Sequence, residues 1–171
     1  YLGSLLELTI SKFRSRFWGL RNVSMMLFSS LSIKVFGSRN TNKDTKEARM
    51  PVDEFFTAYP NLDGFLRRVL REGQVESDGS DEGAESSLFA AVMLFSRMQA
   101  PEDEPKRVED ALRMEAYQTL LSMCLANKVW KVREVAAKAY AAFVPLRAAA
   151  QHASSRAKTI SLQSQNDAHG K

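Results

Sequence analysis

The sequence predicts an all-α protein, and more specifically a segment of an α-solenoid built from antiparallel helix pairs. Three observations lead to this fold class. Apolar residues recur with the period of a helix, no stretch shows the alternation of a β-strand, and one helical segment occurs twice. Because repeated helical units bury their apolar stripes only by stacking on their neighbours, internal repetition of this kind is typical of a solenoid.

The repeated segment is WGLRNVSMMLFSSL at positions 18–31 and WKVREVAAKAYAAF at positions 130–143. The two copies lie 112 positions apart and share a Trp, an aliphatic residue before an Arg, a Val, a small residue, an aromatic residue and a large apolar residue. The positions that define the repeat, together with the break before its second copy, are Trp18, Arg21, Asn22, Asn127, Trp130 and Arg133.

The first copy belongs to an amphipathic helix predicted over 17–36. It follows the end of an earlier helix over 1–15 and stops at Gly37, a residue type that suits a helix end. A polar and basic loop is predicted over 38–50. The predicted inward positions of the helix are Leu20, Val23, Ser24, Leu27, Phe28, Leu31 and Val35.

Two shorter helices are predicted after this loop. Pro51 suits the first turn of one helix, and Pro60 ends it because the residue before a proline avoids the helical region. Asn61 can cap the next helix, which is predicted to stop near Gly73. The acidic stretch that follows is rich in Ser and Gly and cannot bury enough apolar surface to order itself, so it is predicted to be disordered.

Three helices are predicted in the C-terminal part. Ser87 can cap a helix that is apolar on nearly every side and is therefore expected to be central. A helix over 109–126, a break at Asn127 and a helix over 129–144 predict an antiparallel pair. The inward positions of the first helix of this pair are predicted to be Leu112, Ala116, Leu120, Met123 and Cys124, the last as a core thiol.

The arginine near the start of each copy has a structural explanation. Asn127 lies six residues before Arg133, which resembles the HEAT-repeat pattern, where an Asp between two helices pairs with an Arg early in the second helix. Arg21 departs from this pattern because Ser15 occupies the corresponding place. Phosphate contact is the alternative for both arginines, and we favour the structural role because each lies beside an apolar stripe.

Other residues of the two copies allow a similar choice. Trp18 and Trp130 could stack on nucleic-acid bases, but packing in the seam between repeats is the more common role. Four methionines are predicted to fill the core, namely Met25, Met26, Met93 and Met98.

These elements divide the chain into four parts. Residues 1–73 are predicted to hold basic helical repeats, residues 74–86 the acidic disordered insertion, residues 87–146 further repeats that end in the HEAT-like pair, and residues 147–171 a fraying or disordered tail. The net charge of +4 is thus spread as two basic flanks around an acidic linker. Basic flanks can meet phosphates or acidic partners, although solvated helix faces are the more common explanation.

Several function classes find no support in the sequence. One cysteine and two histidines in a polar tail predict neither a disulfide nor a zinc site, and neither a cofactor nor a catalytic residue is expected. Asp53 and Glu54 are adjacent on a first helical turn, where they suit the helix dipole better than acid–base chemistry. No stretch could span a membrane and no signal peptide is visible. We expect a cytoplasmic location, and a piece of a longer protein because the chain opens inside an apolar-periodic stretch.

The stretch FWGLRNVSMMLFSSLSIKVFG at 17–37 resembles part of the thyroid adenoma-associated protein (THADA) family. In that family an Arg-Asn-x-Ser-x-x-Leu-Phe block runs into an Arg/Lys-x-Phe-Gly ending. A Glu-Phe-Phe…Pro segment, a Ser-Leu…Leu-x-x-Ser-Arg helix and a Lys-Val-Arg-x-x-Ala-x-x-Ala helix follow in the same order. The matching residues are Arg21, Asn22, Ser24, Leu27, Phe28, Lys34, Phe36, Gly37, Glu54, Phe55, Phe56, Pro60, Ser87, Leu88, Leu94, Phe95, Ser96, Arg97, Lys131, Val132, Arg133, Ala136 and Ala139.

The resemblance implies a very long α-solenoid of HEAT or armadillo type. It also implies a non-catalytic partner of a tRNA ribose 2′-O-methyltransferase that acts at the start of the anticodon loop, with the methyl-donor site on the catalytic subunit. The implied partners are that catalytic subunit and tRNA. The family's Arg-Arg-Ser-Ala-Gly block, which is associated with function, lies upstream of the matched blocks and is absent from this sequence. The chain is therefore expected to be a structural part of the scaffold.

Two functions of different classes stay open. In the first, the chain is a scaffold segment of a regulator of tRNA 2′-O-methylation, and its affinity for RNA falls steeply with salt. In the second, it is a protein-interaction α-solenoid with no RNA role, and its basic positions are merely solvated. An enzyme in its own right is disfavoured for want of a catalytic constellation. The candidate positions for contacts with RNA or a partner are Lys12, Arg14, Arg16, Arg39 and Lys43.

Overall fold

Helices form almost all of the regular structure in the computed structural model, which describes residues 1–37, 49–75, 82–149 and 154. Seven α-helices lie within these ranges, and short 3₁₀ helices cover Lys12–Arg14 and Leu146–Ala148. No helix in the described ranges is long and apolar enough to cross a membrane. The α-helices are α1 (Leu2–Ser11), α2 (Trp18–Phe36), α3 (Val52–Ala58), α4 (Asn61–Val75), α5 (Glu82–Phe95), α6 (Val108–Cys124) and α7 (Trp130–Ala141).

The longer helices are arranged as three consecutive pairs. α1 packs on α2, α4 on α5, and α6 on α7, and contacts of α4 with both α1 and α6 link the first helices of the three pairs. Among the second helices, α5 packs on α7 and reaches the first pair through the 3₁₀ helix that follows α1. This stacking confirms the predicted all-α, solenoid-like fold.

The helix predicted to be central is central. α5 contacts α1, α4 and α7, and its side chains Leu88, Ala91, Val92 and Phe95 are fully buried. Neighbours on several sides explain why this helix is apolar around most of its circumference.

α4 continues past Gly73 and ends at Val75, two residues from the predicted stop. A Cβ atom at position 73 would lie only 2.7 Å from the Cβ of Leu88 in α5. Glycine is needed here for the close approach of two helices rather than for a helix end.

Both ends of the range 74–86, which was predicted to be a disordered insertion, are helical. α4 extends to Val75 and α5 begins at Glu82, so the helices take up both ends of that range. Residues 76–81 lie outside the described part of the chain.

The predicted N-cap Ser87 is consequently wrong, because this residue lies in the second turn of α5. Its buried hydroxyl is within hydrogen-bond distance of the carbonyl oxygens of Ile10, at 3.1 Å, and Gly83, at 3.0 Å. The serine thus links α5 to α1 instead of starting α5.

A two-residue parallel bridge joins the chain before α3 to the chain after α5. Met50 pairs with Met98, and Pro51 pairs with Gln99. The bridge is too short to produce an alternating pattern, so the sequence did not predict it.

The start of the predicted tail is held in place. The backbone N–H of Leu146 donates to the carbonyl of Pro101 at 3.0 Å, and Arg147 forms an ion pair with Asp103 at 3.0 Å. Beyond residue 149 only residue 154 is described, so the predicted fraying of the tail lies largely outside the described residues.

An aromatic cluster fills the core between α3, α5 and α6. The ring of Tyr117 lies 5.3 Å from Phe56, 5.0 Å from Phe95 and 4.9 Å from Phe143, measured between centroids. The Tyr117 hydroxyl donates to Asp63 Oδ1 at 2.9 Å. The polar edge of the core is thereby satisfied.

Asp63 is the centre of an ion-pair network around this hydroxyl. Its carboxylate lies 2.8 Å from Nε of Arg67 and 3.3 Å from Nε of Arg113. Arg113 also contacts Asp110 at 2.7 Å. The network ties α4 to α6 at one edge of the aromatic cluster.

The predicted apolar stripes of α2 and α6 are partly wrong. In α6, Leu112 and Met123 are exposed, while Tyr117 and Leu121 are buried. The buried face of α6 is thus rotated from the predicted one, because large aromatic and aliphatic side chains on an adjacent face cover more of the core. In α2 the predicted positions Ser24, Leu31 and Val35 are buried and Phe28 is partly buried, but Leu20, Val23 and Leu27 are exposed.

Candidate interaction surfaces

The start of α7 is fixed by Asn127 and Arg133. The side-chain oxygen Oδ1 of Asn127 accepts a hydrogen bond from the backbone N–H of Val129 at 2.9 Å. Arg133 donates from Nη1 to the backbone carbonyl of Asn127 at 2.8 Å and to that of Lys128 at 2.9 Å. The arginine therefore contacts the residue six positions earlier, but through its backbone carbonyl and not through its side chain.

The start of α2 repeats this geometry with Ser15 in place of Asn127. Ser15 Oγ accepts a hydrogen bond from the N–H of Phe17 at 3.2 Å, and Arg21 donates from Nη1 to the Ser15 carbonyl at 3.1 Å. Arg21 lacks the acidic or Asn side chain of the HEAT pattern, as the sequence indicates, yet it makes the same backbone contact as Arg133. Since the acceptor is a backbone carbonyl, a serine can take the place of an acidic residue or Asn.

The two tryptophans of the repeat are not packed in a seam between repeats. Trp18 is 71% exposed and Trp130 is 62% exposed. Lys131 lies 4.8 Å above the Trp130 ring, and Arg16 lies 5.5 Å above the ring of Phe17, next to Trp18. Both helix starts therefore present an exposed aromatic ring with a cation beside it.

Two methionines that were predicted to fill the core lie on the surface instead. Met25 is 44% exposed and Met26 is 67% exposed, whereas Met98 is buried and Met93 is partly buried. The exposed pair belongs to α2, whose outer side the sequence could not distinguish from its inner side.

A cleft of about 790 Å³ separates α2 from α5 and from the start of α7. We call it the apolar cleft, and its main lining residues are Phe13, Met25, Phe28, Phe89, Met93 and Val132. Its wall contains the edge-to-face ring pair of Phe13 and Phe28, whose centroids are 5.7 Å apart. Glu85 and Lys131 add one charge of each sign. The lining of the cleft is largely apolar, and methionine and aromatic side chains adapt to apolar partners such as a side chain or a short helix.

The basic edge consists of Lys12, Arg14 and Arg16, just before α2. Lys12 and Arg16 are exposed, and Arg14 forms an ion pair with Glu72 of α4 at 2.8 Å. The structure thus brings three of the five predicted basic positions together. The other two, Arg39 and Lys43, lie outside the described residues.

Chemistry for catalysis is sparse in the described ranges. No group of three or more His, Cys, Asp or Glu side chains there could hold a metal ion. Burial raises the pKa of the Cys124 thiol to about 11, against a weaker opposing contribution from the hydrogen bond of Gln74. This thiol is buried and protonated at neutral pH, which suits its predicted place in the core and not a nucleophile.

The stacked helix pairs define the class of this chain as a helical-repeat protein. Comparison with known proteins identifies its family. The model of the family described as "Trm732, C-terminal TPR repeats" matches residues 21–171. The chain belongs to this family, whose description assigns its repeats to the tetratricopeptide class.

Similar proteins from several organisms are named as regulators of a tRNA (32-2′-O)-methyltransferase. The tRNA (32-2′-O)-methyltransferase regulator trm732 of Schizosaccharomyces pombe is 29% identical over all of this chain, which spans 12% of that protein. The tRNA (32-2′-O)-methyltransferase regulator THADA of Homo sapiens is 32% identical over 84% of the chain, which spans 7% of it. The Drosophila melanogaster regulator of the same name is 26% identical over 74% of the chain. No solved structure matches this chain.

Proposed function

We propose that this chain is a non-catalytic scaffold segment of a cytoplasmic regulator of tRNA ribose 2′-O-methylation in the anticodon loop. It binds the methyltransferase catalytic subunit through the apolar cleft and approaches tRNA through the basic edge. The observation that carries the proposal is the match of regulators of a tRNA (32-2′-O)-methyltransferase to most or all of the chain.

Protein binding in the apolar cleft is supported by its lining. Met25 is 44% exposed at the mouth of the cleft, and the partly buried rings of Phe28 and Phe89 lie deeper. An apolar helix of the catalytic subunit would remove these side chains from water, at about 25 cal/mol for each Å² of apolar surface buried.

RNA contact at the basic edge is supported by charge. The 3₁₀ helix and the following residues place Lys12 and Arg16 on an exposed turn that has no acidic residue in its own sequence. Arg16 also stacks near Phe17, a combination that can bind both a phosphate and a base.

The alternative is an interaction solenoid with no RNA role, and one observation favours it. Arg14 is paired with Glu72, and Glu7 lines the same groove, so the acidic side chains offset part of the positive charge at this edge. In this alternative the apolar cleft binds protein, and Lys12 and Arg16 are solvated.

The test uses the full-length polypeptide and its co-purification with the methyltransferase subunit. Met25→Asp places a charge at the mouth of the apolar cleft, and Met26→Asp makes the same change one residue away, outside the cleft lining. The proposal expects loss of the catalytic subunit with Met25→Asp and retention with Met26→Asp. Equal retention with both variants would remove the cleft from the proposal, and absence of the subunit from the wild-type eluate would contradict the function.

A further inference from the structure

The outer face of α2, formed by Leu20, Val23 and Leu27, is apolar and exposed. We propose that it is the docking surface for a helix from a further repeat of the same polypeptide, on the N-terminal side of α1, packed as α5 packs on α7. The inference depends on the internal repeat of the chain and is independent of the proposed role in tRNA modification.

The two copies of the repeat can be compared residue by residue because their helices start in the same way. The residue before α2, Phe17, has φ −85° and ψ 112°, and the residue before α7, Val129, has φ −81° and ψ 112°. The equivalent arginines Arg21 and Arg133 both donate to the carbonyl six residues earlier. Side chains 112 positions apart therefore point in equivalent directions around the two helices.

Equivalent positions are apolar in both helices but differ in burial. In α7, Val132 is 1% exposed, Val135 is 6% exposed and Ala139 is fully buried. The equivalent residues of α2 form its outer face, and they are 41% exposed at Leu20, 60% at Val23 and 40% at Leu27. Three apolar positions that are covered in α7 are thus exposed in α2.

The helices that pack on α7 indicate what is missing from α2. α7 packs on α6, the first helix of its own pair, and on α5, the second helix of the preceding pair. α2 packs on α1, which corresponds to α6, and on the 3₁₀ helix after α1. In the described part of the chain, α2 therefore lacks the contact with the second helix of a preceding pair that α7 makes with α5.

The charge distribution of α2 supports a covered surface. Arg21 and Lys34 are the two charged residues among its 19 positions, and none is acidic. A helix that faces water usually carries charged side chains opposite its apolar stripe, and extended exposed apolar surface marks an interface.

The occupant is a helix of the same polypeptide for two reasons. The position that α5 holds on α7 belongs to an adjacent repeat of one continuous chain, so the equivalent position on α2 belongs to the repeat before α1. The relatives are long enough to supply it, since this chain spans 12% of the fission yeast protein and 7% of the human one.

Site-specific photo-crosslinking in the full-length polypeptide tests the inference. A benzophenone amino acid at Val23 is expected to form a crosslink, identified by mass spectrometry, to a helix of the same polypeptide on the N-terminal side of α1. The matched control is the same probe at Asn22, which is exposed and whose equivalent in α7, Glu134, is also exposed. The control is expected to give no such crosslink, and its normal expression shows that a probe in α2 is compatible with folding.

Three results would overturn the inference. They are a crosslink from Val23 to a second copy of the polypeptide, a crosslink to a separate protein, and equal yields from Val23 and Asn22. The first two would make the outer face an intermolecular surface, and the third would make it a solvated one. None of them bears on the apolar cleft, because Val23 does not line it.

Discussion

Arg133 donates a hydrogen bond from Nη1 to the backbone carbonyl of Asn127 at 2.8 Å, across the turn that starts α7. The side-chain oxygen of Asn127 accepts a hydrogen bond from the N–H of Val129, so both the side-chain oxygen and the backbone carbonyl of Asn127 are acceptors at this turn. The same pair of interactions recurs at Ser15 and Arg21 before α2. The repeat in the sequence is therefore a repeat of a helix-start geometry, and it sets the direction in which each helix leaves its turn.

Removal of the acceptor side chain at this turn is expected to destabilise the fold. Asn127→Ala loses the hydrogen bond from the Val129 N–H and should lower the free energy of unfolding by about 1 kcal/mol. Asn127→Asp keeps the acceptor and adds a negative charge near Arg133 and the N-terminus of α7, so it should raise that free energy by about 0.5 kcal/mol. Urea unfolding of the three proteins gives the comparison, and a more stable Ala variant would contradict the account.

Two glycines of α4 are expected to respond to alanine in opposite directions. Gly73→Ala would bring a methyl group 2.7 Å from the Leu88 Cβ atom and should destabilise the protein by about 1–3 kcal/mol. Gly64→Ala meets nothing within 4 Å and should stabilise the helix by about 0.5–1 kcal/mol. Thermal unfolding measures both changes, and a neutral Gly73→Ala would show that α4 and α5 are not in close contact.

Stability is expected to fall at alkaline pH because of Tyr117. Burial, followed by the nearby Asp63 carboxylate, raises the pKa of Tyr117 well above its usual value. Near pH 10 Tyr117 loses its proton in the unfolded chain but keeps it in the folded protein. The stabilisation that the Tyr117 hydroxyl contributes is therefore complete below about pH 10 and declines above it.

In Tyr117→Phe the free energy of unfolding should therefore decline less steeply above pH 10. At neutral pH the same variant should have a free energy of unfolding lower by about 1 kcal/mol, because it lacks the hydrogen bond of the hydroxyl. The comparison is made in a Cys124→Ala background, because burial also raises the pKa of the Cys124 thiol, which destabilises the fold in the same direction as pH rises. An unchanged alkaline slope in Tyr117→Phe would mean that this hydroxyl titrates normally.

Binding of RNA at the basic edge has a salt signature. Lys12→Glu combined with Arg16→Glu should weaken binding of tRNA to the full-length polypeptide. The plot of log affinity against log salt concentration should become shallower by about 0.7 for each phosphate that the variant no longer neutralises. Lys106→Glu combined with Lys138→Glu, at two exposed positions away from this edge, is the charge-matched control and should leave the slope unchanged. Equal slopes in all three proteins would favour the interaction solenoid with no RNA role.

The sequence was sufficient for the fold class and for the order of most helices, because helical periodicity is a local property. The sequence repeat also identified the arginine near the start of each copy. It was insufficient for α2, where both sides are apolar and only the neighbouring helices decide that Ser24 and Leu31 are buried while Val23 is exposed.

The remaining errors share a cause. In each of them the contact that determines the role of a residue is made with a residue distant in sequence or with a backbone group. Gly73 indicated only a nearby helix end, because its closeness to Leu88 in α5 cannot be read from the sequence. Ser15 was set aside because the pattern was thought to need an acidic or amide side chain, whereas Arg21 uses a backbone carbonyl that any residue provides. The apolar cleft could not be foreseen, since its walls come from four separate elements.

The most direct test of the proposed function is an assay of 2′-O-methylation of tRNA in a reconstituted system. The methyltransferase subunit is incubated with substrate tRNA and methyl donor, alone or with the full-length polypeptide as wild type, Met25→Asp or Met26→Asp. The account predicts that wild type and Met26→Asp stimulate methylation and that Met25→Asp does not. Methylation that is independent of the polypeptide, or stimulated equally by all three proteins, would contradict a regulator that works through the apolar cleft.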